Sequence, residues 1–257
     1  MKLSCIIPSF RDPMLHKTID SILENSGLGD DLEIIVGLDA WWPKETIKSD
    51  NRIKIIHSTT NLGMRDNINQ CVAVAQGEYI ARFDEHIMVC PNWDKILLEN
   101  IEDNWIVSGL RYFLDPDKWE VMDKPPIEAE KLIIDKDRKK FAAVRCGKPA
   151  GAGNIFEVTA HQGSFWIMKK KLWDDVIGEL QTEGYGPLYQ DSTEMCFKIW
   201  KAGGKVMRNN NMWYAHKDRT FRRTHNITGE ESQKSFDYAR EVWEPYFLEL
   251  KEQWKKT

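Results

Sequence analysis

A chain of 257 residues with 42% hydrophobic content can bury one large core or two small ones. Its formal net charge of -4 excludes a global attraction to nucleic acid or anionic membrane and leaves room only for local basic patches. The five cysteines, Cys5, Cys71, Cys90, Cys146 and Cys196, are odd in number and form no CxxC pair. That pattern argues against a disulfide framework and a structural zinc site, and reads as reduced, mostly buried thiols.

Residues 3–8 are a short apolar run closed by Pro8, as expected of a buried parallel strand. The run is far too short for a signal peptide or a membrane span, so a soluble, cytoplasmic protein is expected. Met14, Thr18, Ile19, Ile22 and Leu23 recur at helical spacing, and Gly27 supplies a stop. Residues 32–38 and 52–57 read as the second and third strands. A helix over 67–75 ends near Gly77, a fourth strand covers 79–83, and another helix covers 93–101. This alternation predicts an α/β open sheet, in which ligands bind beyond the carboxyl ends of the strands. The residues after Pro8, Leu38 and Phe83 are therefore the first candidates for a site.

The second half is less regular. A strand is expected over 105–113, followed by an insertion over 114–160, partly β, of the kind that carries specificity. A strand over 164–168 and a short helix over 171–177 follow. An amphipathic helix over 192–202 is closed by Gly203-Gly204, and two short strands cover 205–208 and 212–215. The last helix, 230–256, is expected to be interrupted near Pro245. No repeat or linker divides the chain, so one domain is expected, with halves 1–105 and 106–228 and a helical segment over 229–257.

Asp84-Glu85-His86 leaves the fourth strand where the fold rule places ligands. Asp84 and His86, two residues apart, can converge on one cation, and carboxylate plus imidazole suits Mn²⁺ or a similar ion better than calcium. Other nucleotide chemistries lack their marks: there is no GxxxxGK[ST] loop, no Gly-x-Gly-x-x-Gly after the first strand and no Gly-x-Ser-x-Gly elbow.

The stretch 61–86, NLGMRDNINQCVAVAQGEYIARFDEH, together with the opening PSFRD, resembles the family 2 glycosyltransferases of GT-A fold. The DEH motif departs from the commoner Asp-x-Asp and is similar to the Asp-x-His of polypeptide N-acetylgalactosaminyltransferases. A second block, 190–216, resembles the acceptor side of those enzymes through Phe197-Lys198-Ile199-Trp200, Gly203-Gly204 and His216. The resemblance implies a Rossmann-like mixed sheet flanked by helices, a UDP-sugar donor, and Mn²⁺ or Mg²⁺ held by Asp84, His86 and His216. It places Asp12 and Asp39 at the nucleoside, in a pocket shaped by Pro8 and Ser9. It puts Asn61, Gly63 and Glu85 in the same donor region, with Arg65 pairing a pocket carboxylate or a phosphate. Asp191 becomes the candidate base and Glu194 a supporting acid one helical turn later. The stereochemical outcome stays open, because the two branches of the resemblance differ in it.

Lys217, Arg219, Arg222 and Arg223 in KDRTFRR read as a basic lid over the diphosphate or as a contact for a phosphate-bearing acceptor. Trp41, Trp42 and Trp166 read as core rather than as stacking platforms. The expected activity is sugar transfer to a hydroxyl acceptor: a saccharide, a lipid-linked glycan or a protein. Two alternatives are a phage-type enzyme glycosylating 5-hydroxymethylpyrimidine in DNA and a non-catalytic nucleotide-sugar-binding protein. Nothing in the sequence speaks to an oligomer.

Overall fold

The computed structural model of the chain describes residues 1–221 and 227–254. The first half follows the expected order: β1 (Leu3–Ser9), α1 (Leu15–Asn25), β2 (Leu32–Asp39), β3 (Ile53–Ser58), α2 (Met64–Ala73), β4 (Tyr79–Phe83), β5 (Ile87–Val89) and α3 (Trp93–Leu98). The expected periodicity of α1 is its buried face, with Leu15, Thr18, Ile19, Ile22 and Leu23 all inward. Helix α2 begins three residues earlier than the apolar pattern predicts. Gly63, at φ 84°, turns the chain, and its carbonyl accepts Asn67 N–H at 3.1 Å to open the helix. A side chain there would collide with Pro187, 2.2 Å from an added Cβ, so glycine is required on two counts.

The second half holds β6 (Trp105–Asp115), β7 (Glu120–Val121), β8 (Ala129–Asp135), β9 (Lys140–Cys146), β10 (Ile155–Glu157) and β11 (Phe165–Lys169). A helical turn, α4 (Lys170–Leu172), runs on as a π-turn over Trp173–Ile177. It is followed by α5 (Asp191–Lys201), β12 (Lys205–Lys217) and α6 (Gly229–Trp254). Two expectations need correction. The predicted pair of short strands is one strand, β12: its polar Asn210 and Asn211 form a bulge where the register against β6 shifts between Asn209 and Trp213. The last helix runs unbroken through Pro245. Its inner residues Ala239, Trp243, Phe247 and Leu250 pack on Leu132, Phe141 and Phe197, contacts that outweigh the lost backbone hydrogen bond.

The main sheet runs β10-β12-β6-β11-β4-β1-β2-β3, with β5 on β12 and β7 on β6. Strands from both halves of the chain thus share one sheet. Within the predicted insertion, β8 and β9 form a separate two-stranded sheet, while β10 joins β12 in the main one. Alternate residues of the central strands feed opposite cores: Cys5, Ile7, Ile34 and Val36 face α1 and α3, whereas Ile6, Ile35 and Ile80 face α2 and α5. The cysteines are free, four of them buried. Among the described residues, no helix is long and apolar enough to cross a membrane.

Strand β1 pairs in parallel with β2 on one side and β4 on the other, so the chain reverses its direction of travel across the sheet there. That reversal opens a crevice beyond the carboxyl ends of these strands. Ser9, Asp39 and Asp84 stand at its edge.

Candidate active site

Two pairings assemble a potential metal centre from residues about 130 apart in sequence. Asp84 leaves β4 with its N–H still bonded to Ser164 O at 2.9 Å. The chain then turns into β5, which runs antiparallel to β12 with Ile87 opposite His216. His216 Nε2 consequently lies 2.8 Å from Asp84 Oδ2, and His86 Nε2 lies 3.8 Å from the same oxygen. One donor atom from each of Asp84, His86 and His216 fits within 4.8 Å of the others.

The surroundings fix the tautomers. Asp12 Oδ2 sits 3.0 Å from His86 Nδ1 and can only accept, so His86 carries its hydrogen there and leaves Nε2 as a lone pair. That Nε2 is buried and has no hydrogen-bond partner among the described residues. A buried acceptor facing a carboxylate and a second imidazole is what a divalent cation requires, and one oxygen with two nitrogens suits Mn²⁺. Burial works against charge on Asp84, but the Arg82 guanidinium at 2.6 Å and His216 hold its carboxyl well below the usual range. Burial pushes His216 well below an ordinary histidine, which keeps it neutral.

The crevice beside this cluster encloses about 350 Å³. Its lining includes Pro8, Ser9, Asp12, Asp39, Asn61, Gly63, Arg82, Asp84, Glu85, His86, Gly163, Ser164, Pro187, Leu188, Tyr189 and Asp191. Asp39 receives hydrogen bonds from Leu62 N, Gly63 N and Asn61 Nδ2 at 2.7 to 2.9 Å, which folds the 61–63 loop over the end of β2. Both Glu85 oxygens lie within 3.1 Å of Phe10 N, tying the loop after β1 to the DEH turn. Burial, then the Asp12 charge, pushes the Glu85 carboxyl up to about 8.

Helix α5 begins at Asp191, another crevice-lining residue, after Gln190, which holds φ 64° in the left-handed region. Asp191 is buried, and among the described residues its Oδ2 has no hydrogen-bond partner. Burial raises its carboxyl, with Arg82 and Arg65 opposing.

The sequence profile of glycosyl transferase family 2 matches residues 4–162, more than half of the chain. The chain belongs to glycosyl transferase family 2. No curated protein matches it. Among solved structures, it is similar to GalNAc-T7, determined with UDP, GalNAc and Mn²⁺, at TM-score 0.77 and 15% identity. The match covers 96% of this chain and 49% of that one, so the chain spans about half the length of that relative. The fold is the GT-A fold, and the likeness extends past the family match through α5 and β12.

In this family 2 chain the structure moves three expected site residues out of the crevice. Arg65 is fully buried behind the wall. It bonds Glu194 Oε2 at 2.5 Å, Gln181 O at 2.7 Å and Tyr189 O at 3.1 Å, and stacks on Tyr185. Glu194 is therefore paired with Arg65 and Lys198, accepts from Gln181 N, and lies outside the crevice lining. Arg219 is exposed, outside the crevice lining, with its charge near Lys140 on β9. Of the expected basic lid, Lys217 is buried 3.2 Å from Asp12 Oδ2, and Arg222 and Arg223 lie outside the described residues. Trp166 is core, stacked on Trp173, while Trp42 is 56% exposed and meets His57 edge-on.

The sequence reading missed Arg82, Arg111, Gly163 and the Pro187–Tyr189 wall. Arg82 alone had a local signal, since residues i and i+2 of a strand share a face and Arg82 precedes Asp84 by two.

Proposed function

We propose that this chain transfers a sugar from a UDP-sugar to a hydroxyl acceptor on a saccharide, a lipid-linked glycan or a protein. The observation that carries the reading is the convergence of Asp84, His86 and His216 beside a crevice also lined by Asp191, whose Oδ2 has no hydrogen-bond partner among the described residues. The solved relative binding UDP, GalNAc and Mn²⁺ supports it. Asp84, His86 and His216 would hold Mn²⁺ or Mg²⁺, which when bound neutralises charge building on the departing diphosphate.

The remaining roles fall to the protein. Pro8, Ser9 and the loop held by Asp39 form the nucleoside end of the crevice, with Asn61 and Gly63 at its rim. Asp12 orients His86, and Glu85 fixes the loop that carries Asp12. The acceptor oxygen attacks the anomeric carbon, the bond from that carbon to the diphosphate oxygen breaks with its electron pair, and the acceptor proton passes to Asp191 Oδ2.

Gly163 makes room for that base: an added Cβ would sit 2.6 Å from Asp191 Oδ2. Gly163→Ala should displace the carboxylate and lower kcat on the order of 10²-fold, with an unchanged melting temperature. The donor class is tested by calorimetry with UDP, GDP, CDP and TDP in the presence of Mn²⁺. UDP is expected to bind tightest, and Asp39→Ala to weaken it. A clear preference for another nucleotide would overturn the UDP assignment.

A further inference from the structure

Each side chain that would hold the cation is itself held, directly or through one carboxylate, by a buried positive charge. Arg82 Nη2 lies 2.6 Å from Asp84 Oδ1. Arg111 Nη2 donates to His216 Nδ1 across 3.1 Å. Asp12, which receives the His86 hydrogen, also takes Lys217 Nζ at 3.2 Å. These three cationic residues are 2%, 3% and 5% exposed, so water screens them weakly.

This is an unusual environment for a metal centre. Imidazole ligands ordinarily give their far N–H to a carboxylate or carbonyl, which makes the ligating nitrogen more basic. His86 follows that rule, with its carboxylate shared by Lys217. His216 does not: a guanidinium donates to its far nitrogen, withdrawing density and leaving the hydrogen on Nε2, the atom facing Asp84. A cation must displace that hydrogen to reach Nε2. Two guanidiniums set against the ligating side chains oppose a free divalent ion, whereas a nucleoside diphosphate brings negative charge of its own to it.

We propose that Arg82 and Arg111 hold the site's affinity for a free divalent cation low, so that the cation is retained only together with the nucleotide diphosphate. The inference rests on the nucleotide-sugar reading of the crevice. Both arginines are positioning residues, touching ligand side chains rather than the cation. Cation and nucleotide then bind with positive coupling, and each raises the other's affinity by the same factor.

The test is Mn²⁺ titration followed by electron paramagnetic resonance, with and without UDP, on wild type, Arg82→Gln and Arg111→Gln. Glutamine keeps a donor toward the same acceptor and removes the charge. A thermal melt accompanies each variant. UDP should tighten Mn²⁺ binding to wild type by about tenfold or more. Each variant should bind Mn²⁺ alone about tenfold more tightly than wild type and show a smaller UDP effect. Should a variant fail to fold, the other variant and the wild-type coupling still decide. Wild-type Mn²⁺ affinity indifferent to UDP, or variants that bind Mn²⁺ no more tightly, would overturn the inference and leave the nucleotide reading standing. A wild type that binds UDP at no Mn²⁺ concentration would overturn that reading and the inference with it.

Discussion

Asp191→Asn is expected to lower kcat by about 10² to 10⁴-fold, the range a positioned general base contributes, with little change in donor KM. The amide keeps the shape of the side chain, and among the described residues the carboxylate's Oδ2 has no hydrogen-bond partner to lose, so the melting temperature should hold. The same group predicts a pH profile. Burial raises the Asp191 carboxyl, and the partial opposition of Arg82 and Arg65 does not cancel it. A base acts only as the carboxylate, so kcat/KM should fall as pH drops through this raised pKa. The acid limb therefore lies above the ordinary aspartate value of about 3.9 and is missing from the residual activity of the asparagine variant. Wild-type kcat in Asp191→Asn would remove Asp191 from the chemistry.

The largest stability loss is expected at Arg208→Leu. Arg208 and Glu130 are both 0% exposed, and Arg208 Nη2 lies 2.8 Å from Glu130 Oε2 while Nη1 bonds the Gly109 carbonyl. The pair ties β8 to the main sheet through β12. Removing the guanidinium leaves Glu130 buried without its cation, at a cost of about 3–5 kcal/mol. Urea unfolding should show this as a lower midpoint with an unchanged slope. The double change Arg208→Leu with Glu130→Leu should recover most of the loss, because two apolar side chains carry no unpaired charge. A single variant within about 0.5 kcal/mol of wild type would contradict the account, being the size of a surface substitution.

Much of the first half was legible because local signals and tertiary outcome agree there. The apolar runs of β1, β2 and β4 are buried on both faces, and the DEH turn follows β4 as the fold rule requires. His216 had no such signal: only the β5–β12 pairing brings it to Asp84, and its place was read through resemblance. Glu194 shows why spacing alone misleads. It lies on the same side of α5 as Asp191, yet Arg65, contributed by α2 some 130 residues earlier, captures it. No local pattern encodes which of two neighbouring acids a distant arginine takes. The same holds for Lys217, whose basic surroundings in sequence suggest a lid over the diphosphate and whose strand position buries it against Asp12.

Sugar release is the most direct measurement of the central claim. UDP formation from a panel of UDP-sugars would be followed with Mn²⁺ and with chelator, for wild type and Asp84→Ala. The account predicts slow turnover of one UDP-sugar by wild type, abolished by chelator and lowered at least about 10²-fold in Asp84→Ala. UDP release that persists at the wild-type rate with chelator or in Asp84→Ala would contradict it.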